Sequence, residues 1–485
     1  MRAIFKALGA TFSGALITLV CHFFTLMFLA RILEQEVMGL YFIAVMVTFL
    51  LKLLSDLGVD LAFVKKYPEE SESGRNSLLR SAIGIRIVSC VGVSLLYWSV
   101  EASGIVSFIN LIADVTLLTL TLYWMHSFRE LILRLLQAEQ RFSVYAGTQV
   151  LAALLKAVLV VGLLALSDVT LKHVLFIEII AFLASITYAA TRVRERLMAA
   201  LRSSFQGGRE ILRFGYPLYL NALLNLGNER VSQYIVAGLG GPLVMALFGV
   251  AERLADAGTR LFESFVNVYY PAQTKHFADN NPAEATTFAN RSLLWICFII
   301  GSGIIAFATI REPVIQLFFS AKYVSVADAA TMFFAVLLLR SLQTLMGYFG
   351  VAAGQKFLPV KVSLVSSIFN IIACYLLFLR YGYEGAIAAL VFTQLLMNCL
   401  YFYWLKRAGY ELNITPIVLM LLLTLGATAT IFYLSDHLLL SMLVFPAYIL
   451  ACFVTLPELR TDSAIGWNKL TDYLQARSIK ADNAH

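Results

Sequence analysis

Apolar runs of roughly 20 residues, the length that crosses a bilayer as helix, recur along the whole chain with short polar stretches between them. The pattern predicts fourteen helices, at 8–29, 38–61, 80–98, 105–127, 146–166, 171–191, 214–236, 242–269, 292–310, 325–348, 359–379, 385–405, 415–434 and 438–456. The first run follows Arg2 and Lys6 and lacks an A-x-A cleavage pattern, so it reads as an uncleaved first helix rather than a signal peptide. The stretch from Pro457 is polar and reads as a tail. Gly238, Gly240 and Gly241 precede Pro242 and predict a tight turn between the seventh and eighth helices.

Basic residues test this count. With both termini cytoplasmic, the inner loops and ends hold 25 of the 37 Lys and Arg and the outer loops hold 5, the rest lying inside predicted spans. That is the expected excess of basic residues on the cytoplasmic side.

Composition narrows the class. Of 485 residues 60% are hydrophobic and 14% charged, with a mean hydropathy of +0.79. A soluble domain carries about 25% charged residues. A soluble enzyme, a nucleic-acid binder and a secreted scaffold are thereby excluded, and an all-α polytopic membrane protein is expected. The net charge of +7 reflects the basic cytoplasmic loops rather than a nucleic-acid surface. The six cysteines stand in apolar stretches without a CxxC pair and read as small buried side chains. HExxH, GxSxG and Walker A patterns are absent, so neither an enzyme nor a cofactor or metal is expected.

The chain also repeats itself. Met38-Gly-Leu-Tyr-Phe-Ile-Ala-Val45 resembles Met245-Ala-Leu-Phe-Gly-Val-Ala-Glu252, and Ala138-Glu-Gln-Arg-Phe142 resembles Ala353-Gly-Gln-Lys-Phe357. Both pairs fall at matching places in two sets of six helices. Parallel halves of this kind frame a cleft suited to alternating access.

Ionisable groups within spans are costly and mark pairs or wet cavities. In the eighth predicted helix Gly249, Arg253, Asp256, Arg260, Glu263 and Asn267 share one face at spacings of three and four, with Glu252 on its shoulder and Leu254, Leu261, Phe265 and Val268 opposite. Lys52, Asp56 and Asp60 form the corresponding stripe in the second helix. Arg86, Asp114, Lys156, Glu178, Glu229, Arg230 and Arg340 are further charges in predicted spans. Two readings stay open for the stripes: a hydrophilic cavity lining, or closed salt bridges that hold helices together. In a cavity, Arg253 and Arg260 suit a pyrophosphate, because a guanidinium donates two parallel hydrogen bonds to anionic oxygens. Asp256, Glu263, Glu252, Lys52, Asp56 and Asp60 are candidates to balance those charges or exchange an ion. Arg86, Arg230 and Arg340 are secondary candidates, with packing or snorkelling as their plainer role. Tyr216, Tyr219, Tyr234, Tyr269 and Tyr270 fit sugar stacking or ordinary interfacial anchoring.

Several segments resemble a known family. Leu29-Ala-Arg-Ile-Leu-Glu-Gln-Glu-Val-Met-Gly-Leu-Tyr-Phe-Ile-Ala44, Ser55-Asp-Leu-Gly-Val59, Leu212-Arg-Phe-Gly-Tyr-Pro-Leu218, Ala321-Lys-Tyr323 and Gly382-Tyr-Glu-Gly-Ala-Ile-Ala388 are similar, in order and spacing, to the Wzx-like polysaccharide flippases of the multidrug/oligosaccharidyl-lipid/polysaccharide exporter superfamily. The usual first glycine of one motif is Glu34 here, which raises a question about the local turn. The resemblance implies two six-helix lobes, 1–200 and 201–410, around a central cavity, with two further helices at 411–456 and a cytoplasmic tail at 457–485. It implies a flippase in the bacterial inner membrane that moves an undecaprenyl-pyrophosphate-linked oligosaccharide outward for surface polysaccharide biosynthesis. Its partners would be that lipid-linked oligosaccharide, membrane lipids and polysaccharide polymerase or assembly proteins, with no nucleic acid. A MATE-type cation antiporter, a lipid II flippase and a non-transporting scaffold are the alternatives.

Overall fold

The computed structural model describes residues 2–165, 168–434 and 437–463, and their regular structure is all helical. In order the helices are α1 (Arg2–Ile32), α2 (Gln35–Asp56), α3 (Val59–Lys66), α4 (Glu72–Ser103), α5 (Ser107–Asn110), α6 (Thr116–Ala138), α7 (Phe142–Gly162), α8 (Leu171–Arg192), α9 (Arg194–Arg202), α10 (Gly208–Glu229), α11 (Val231–Ala278), α12 (Pro282–Thr309), α13 (Arg311–Phe319), α14 (Ala327–Ala352), α15 (Leu358–Arg407), α16 (Ile414–Tyr433) and α17 (Leu438–Thr455). Among the described residues ten helices are long and apolar enough to cross a bilayer. The number is eleven if Leu439–Thr455 and Pro457–Ser463, bent by 96°, form one span. The chain is a polytopic membrane protein. The tail from residue 464 onward lies outside the described residues.

Two of these helices exceed any single crossing. α11 has 48 residues and α15 has 50, whereas about 20 residues of helix cross a bilayer. Each is broken at one glycine: Gly241 has φ 73° and Gly382 has φ 61°. Glycine reaches this left-handed region without the Cβ penalty. Of the three glycines expected to form a turn, only Gly241 leaves helical geometry; Gly238 stays in the helix, its carbonyl accepting a 2.9 Å hydrogen bond from the Ser107 hydroxyl.

Three expectations are corrected. The second predicted helix, 38–61, is interrupted, because Leu57 (φ 51°) and Gly58 (φ 78°) turn the chain between α2 and α3. Asp56 and Asp60 therefore do not share one continuous helix. The fourth, 105–127, lies too early. Gly104 caps α4 in the left-handed region, short turns follow, and the long helix runs from Thr116 to Ala138. Asp114 is consequently exposed on a turn, while Arg129 and Arg134, expected in a loop, are helical. The seventh, 214–236, is displaced as well: α10 runs from Gly208 and ends at Glu229, and Arg230 (φ −124°) marks the step to α11.

The chain forms two compact units. The first takes residues through Val250 with Gln316–Val324 and Ser367–Ala386; the second takes Ala251–Ile315, Ser325–Ser366 and the residues from Ile387. In the first, α3, α4, α6 and α9 pack around Phe63, Tyr67, Leu79, Leu135 and Ala200. In the second, α12 packs on α14, α16 and α17 over Cys297, Leu345, Met420 and Cys452.

The motif residues meet one another inside the first unit. A Cβ on Gly39, in the second turn of α2, would lie 1.7 Å from the Pro242 carbonyl oxygen, so only glycine allows that helix approach. A Cβ on Gly249 would lie 2.6 Å from the Phe42 ring. Lys322 donates to the Leu33 carbonyl, and Gln35 Nε2 donates to the Lys322 carbonyl at 2.7 Å. Glu34 has φ −63°, an ordinary value for any residue, so the loss of glycine there strains nothing.

Candidate functional site

In the first unit the charges of α2, α3 and α4 close on one another. Arg86 Nη2 donates to Asp56 Oδ1 at 3.0 Å and also to Asp60, and Lys52 Nζ lies 3.1 Å from Asp60 Oδ2. The Asp60 amide donates to Asp56 Oδ1 at 3.3 Å, so the carboxylate also holds the turn at Leu57–Gly58. Arg86 is 0% exposed and Asp60 3%. Two cations and two carboxylates thus neutralise each other where isolated charges could not stand.

A second buried group joins α2, α7 and α8. Lys156 Nζ donates to the Tyr41 hydroxyl at 2.8 Å and to Glu178, and Tyr41 donates to Glu178 Oε1 at 3.1 Å. α6 adds a polar face of its own. His126 stacks on Phe182 at 5.7 Å, Arg129 Nε donates to Ser185 Oγ at 3.2 Å, and Glu130 pairs with Arg134 at 2.7 Å. Lys52 and Glu178 both lie within electrostatic range of His126. Arg129, Glu130 and Arg134 lie beyond the predicted helix 105–127 and so are not among the sequence candidates. The signal was present: Leu131, Leu133, Leu135 and Leu136 continue the apolar run, and Glu130 and Arg134 stand at i,i+4.

In the second unit α11 carries the other stripe. Arg253 Nη1 lies 2.9 Å from Asp256 Oδ2, with side chains 34% and 39% exposed. Glu252 is half-buried, and Arg260, Glu263 and Asn267 are exposed. The buried face of this helix carries Phe262, Val266 and Tyr269, and Gly258 faces Leu337 so closely that a Cβ would lie 2.5 Å from it. Leu254 is buried as expected, whereas Leu261 and Val268, expected on the packed side, are exposed beside the stripe. A 100° step per residue explains this, since these two positions fall between the polar and the packed faces. Gly249 is buried against Phe42 and does not extend the stripe.

The secondary candidates separate. Arg86 belongs to the closed group above. The Arg230 guanidinium lies over the Phe49 ring at 5.3 Å. Arg340 is half-buried on α14, and its carbonyl accepts from Thr344 Oγ1 at 2.7 Å. Tyr269 is core, stacked between Phe265 and Phe288, while Tyr216 is exposed. Among the described residues no group of three His, Cys, Asp or Glu is placed to hold a metal ion.

The charge group on α2, α3 and α4 is closed and neutral, whereas the α11 ladder of alternating arginines and carboxylates is partly or fully exposed. The family model described as "Polysaccharide biosynthesis protein" matches residues 4–277. The search of curated proteins finds no match. The fold is similar to that of the lipid II flippase MurJ in an inward closed conformation, with a TM-score of 0.73 at 15% identity over 95% of this chain and 99% of that one. It is also similar to a multidrug resistance MATE family transporter of the MOP superfamily in an inward-facing conformation (TM-score 0.67, 14% identity, 81% and 94% covered). A third similar structure is a MOP superfamily transporter from Pyrococcus furiosus described as having a binding pocket of reverse polarity (TM-score 0.58, 14% identity, 84% and 95% covered). At these identities the likeness is one of fold.

Proposed function

Because the chain belongs to the polysaccharide biosynthesis protein family, we propose that it is a flippase moving an undecaprenyl-pyrophosphate-linked oligosaccharide from the inner to the outer leaflet of the bacterial inner membrane. The observation that carries this reading is the exposed stripe on α11, joined to the family match. Arg253 and Arg260 stand two turns apart on one open face. Their guanidiniums compensate the pyrophosphate, and Asp256 and Glu263 keep them charged and placed while the site is empty. Glu252, Lys52, Asp56 and Asp60 are the candidates for an ion exchange that resets the carrier. The polyprenyl tail stays in lipid while the headgroup moves by alternating access.

The reading keeps fourteen crossings, with α11 and α15 each contributing to two of them across Gly241 and Gly382. Lobes at 1–200 and 201–410, helices at 411–456 and a tail at 457–485 complete it, with both termini cytoplasmic. Polysaccharide polymerase and assembly proteins are its expected partners.

A lipid II flippase is the second reading. The flippase MurJ covers 95% of this chain, whereas the similar MATE family transporter covers 81%. Transbilayer movement in proteoliposomes tests both. Wild type moves a pyrophosphate-linked oligosaccharide, and Arg253→Ala and Arg260→Ala lose the movement at equal protein levels. Preference for lipid II over that substrate selects the second reading. Normal movement by both variants removes the arginines from the site, and no movement by wild type of either lipid overturns both readings.

A further inference from the structure

Away from the spans, the first unit has an open cavity of about 300 Å³ among the ends of its helices. Tyr67, Arg75, Glu139, Gln140, Arg141 and Arg196 line it. They come from the turn after α3, the first turn of α4, the α6–α7 connection and the start of α9. Its organising group is Glu139. Oε1 accepts from the Tyr67 hydroxyl at 3.1 Å and lies 3.2 Å from Arg196 Nε, and Oε2 lies 2.9 Å from Arg141 Nε. Arg75 is held separately. Its Nε donates to the Tyr67 carbonyl and its Nη2 to the Pro68 carbonyl, both at 3.1 Å, and its guanidinium lies over the Tyr67 ring at 5.7 Å. Arg141 Nη1 donates to the Arg192 carbonyl at 2.8 Å, and Arg196 Nη1 lies 2.8 Å from Glu72, an exposed carboxylate at the rim.

Three guanidiniums are thus anchored around one space. Each keeps a terminal nitrogen, Nη1 of Arg75 and Nη2 of Arg141 and Arg196, that makes no hydrogen bond or ion pair among the described residues. Three cations face one carboxylate inside the cavity. Converging arginine donors with an excess positive charge recognise phosphoryl oxygens. The volume, at the lower end for small-ligand sites, admits a phosphate or pyrophosphate group. α9 adds a second feature. Arg196 faces the cavity, while Met198 and Leu201, on the other side of the same helix, are exposed. A short basic helix with an uncovered apolar face lies along a bilayer surface.

We propose that this cavity is a phosphate-binding site, taking the phosphoryl group of an anionic lipid headgroup or of free pyrophosphate. The site is distinct from Arg253 and Arg260 and stands whether or not the flippase reading does. The test uses the full chain carrying Arg253→Ala and Arg260→Ala, so that pyrophosphate bound at the α11 stripe does not contribute. Radiolabelled inorganic pyrophosphate is titrated in detergent, and again in nanodiscs of phosphatidylcholine with or without phosphatidylglycerol. Saturable binding is expected, weakened about tenfold or more by Arg75→Ala, the loss of one charge-assisted hydrogen-bonding group. Gln140→Glu guards against a merely misfolded variant. Gln140 is exposed at the cavity wall, so the change adds a negative charge without removing a packed group, and it is expected to weaken binding similarly at unchanged thermal stability. Competition by phosphatidylglycerol identifies the occupant as a headgroup; its absence identifies a soluble phosphate. No saturable binding in either setting, or full binding by both Arg75→Ala and Gln140→Glu, overturns the proposal.

Discussion

Gly58 and Gly215 meet backbone to backbone: a Cβ on Gly58 would lie 2.1 Å from the Gly215 carbonyl oxygen, and one on Gly215 would lie 2.6 Å from the Gly58 carbonyl oxygen. These are the glycines of two separate motifs, and neither helix can move aside without opening the packing of α3 on α10. Gly58→Ala is expected to cost about 1–2 kcal/mol from its left-handed backbone alone, with the clash added. Gly215→Ala carries the clash only. Gly92→Ala, in α4 with open space around it, is expected to be neutral or to stabilise by up to about 1 kcal/mol. Thermal unfolding in detergent ranks the three; equal melting temperatures would disprove the close approach.

Arg86 and Arg253 should behave oppositely. Removing one member of a buried pair costs about 3–5 kcal/mol, so Arg86→Ala, which strands Asp56 and leaves Asp60 with Lys52 as its ion-pair partner, is expected to lower folded yield and melting temperature sharply. The Arg253–Asp256 pair is an i,i+3 contact with both side chains more than a third exposed. Asp256→Asn is expected to change stability by less than about 0.5 kcal/mol. A melting temperature unaffected by Arg86→Ala contradicts the closed arrangement.

The hydroxyl of Tyr67 is pushed up to about 12 by its burial and by the Glu139 carboxylate. The protonated donor is therefore favoured in the folded chain. Its contribution is full below pH 10, the ordinary tyrosine value, and is lost as pH rises through about 12. The melting difference between wild type and Tyr67→Phe is expected to be constant from pH 7 to 10 and to shrink above it. A difference that grows with alkalinity would contradict the assignment.

Orientation has a direct test. Lys172 stands at the start of α8 and Glu195 just beyond its end, both exposed. In a background without reactive cysteines, Glu195→Cys is expected to react with an impermeant maleimide only from the cytoplasmic side, and Lys172→Cys only from outside. Labelling of both from one face rules out α8 as a crossing.

The apolar runs made the long helices legible, because hydrocarbon leaves the backbone no other hydrogen-bond partner. Their interruptions were less legible. Leu57 and Gly58 break the second predicted helix in a two-residue left-handed turn that Asp56 secures; the offset from Met38 to Met245 in the repeated segment puts Phe265 at the place of Gly58, and there α11 stays helical. The missed half of α6 had the opposite cause. Arg129 and Glu130 looked like a loop because charge was read as solvent, whereas Ser185 and Arg134 satisfy them within the packing. Lys156 and Glu178 were visible as separate charges 22 positions apart; their union through Tyr41 belongs to tertiary structure alone. The stripe on α11 needed only helical spacing to be read, since its members lie on one uninterrupted element.

The group formed by Lys52, Asp56, Asp60 and Arg86 carries equal numbers of positive and negative charges. A membrane voltage does no net work on it, however far it is displaced as a body. Under the proposed transport, the field acts on the cargo. An inside-negative potential drives an anionic headgroup outward, the direction in which it travels, by about 2.3 kcal/mol per charge for each 100 mV. The cell's resting polarity would then act directly on the lipid that is exported.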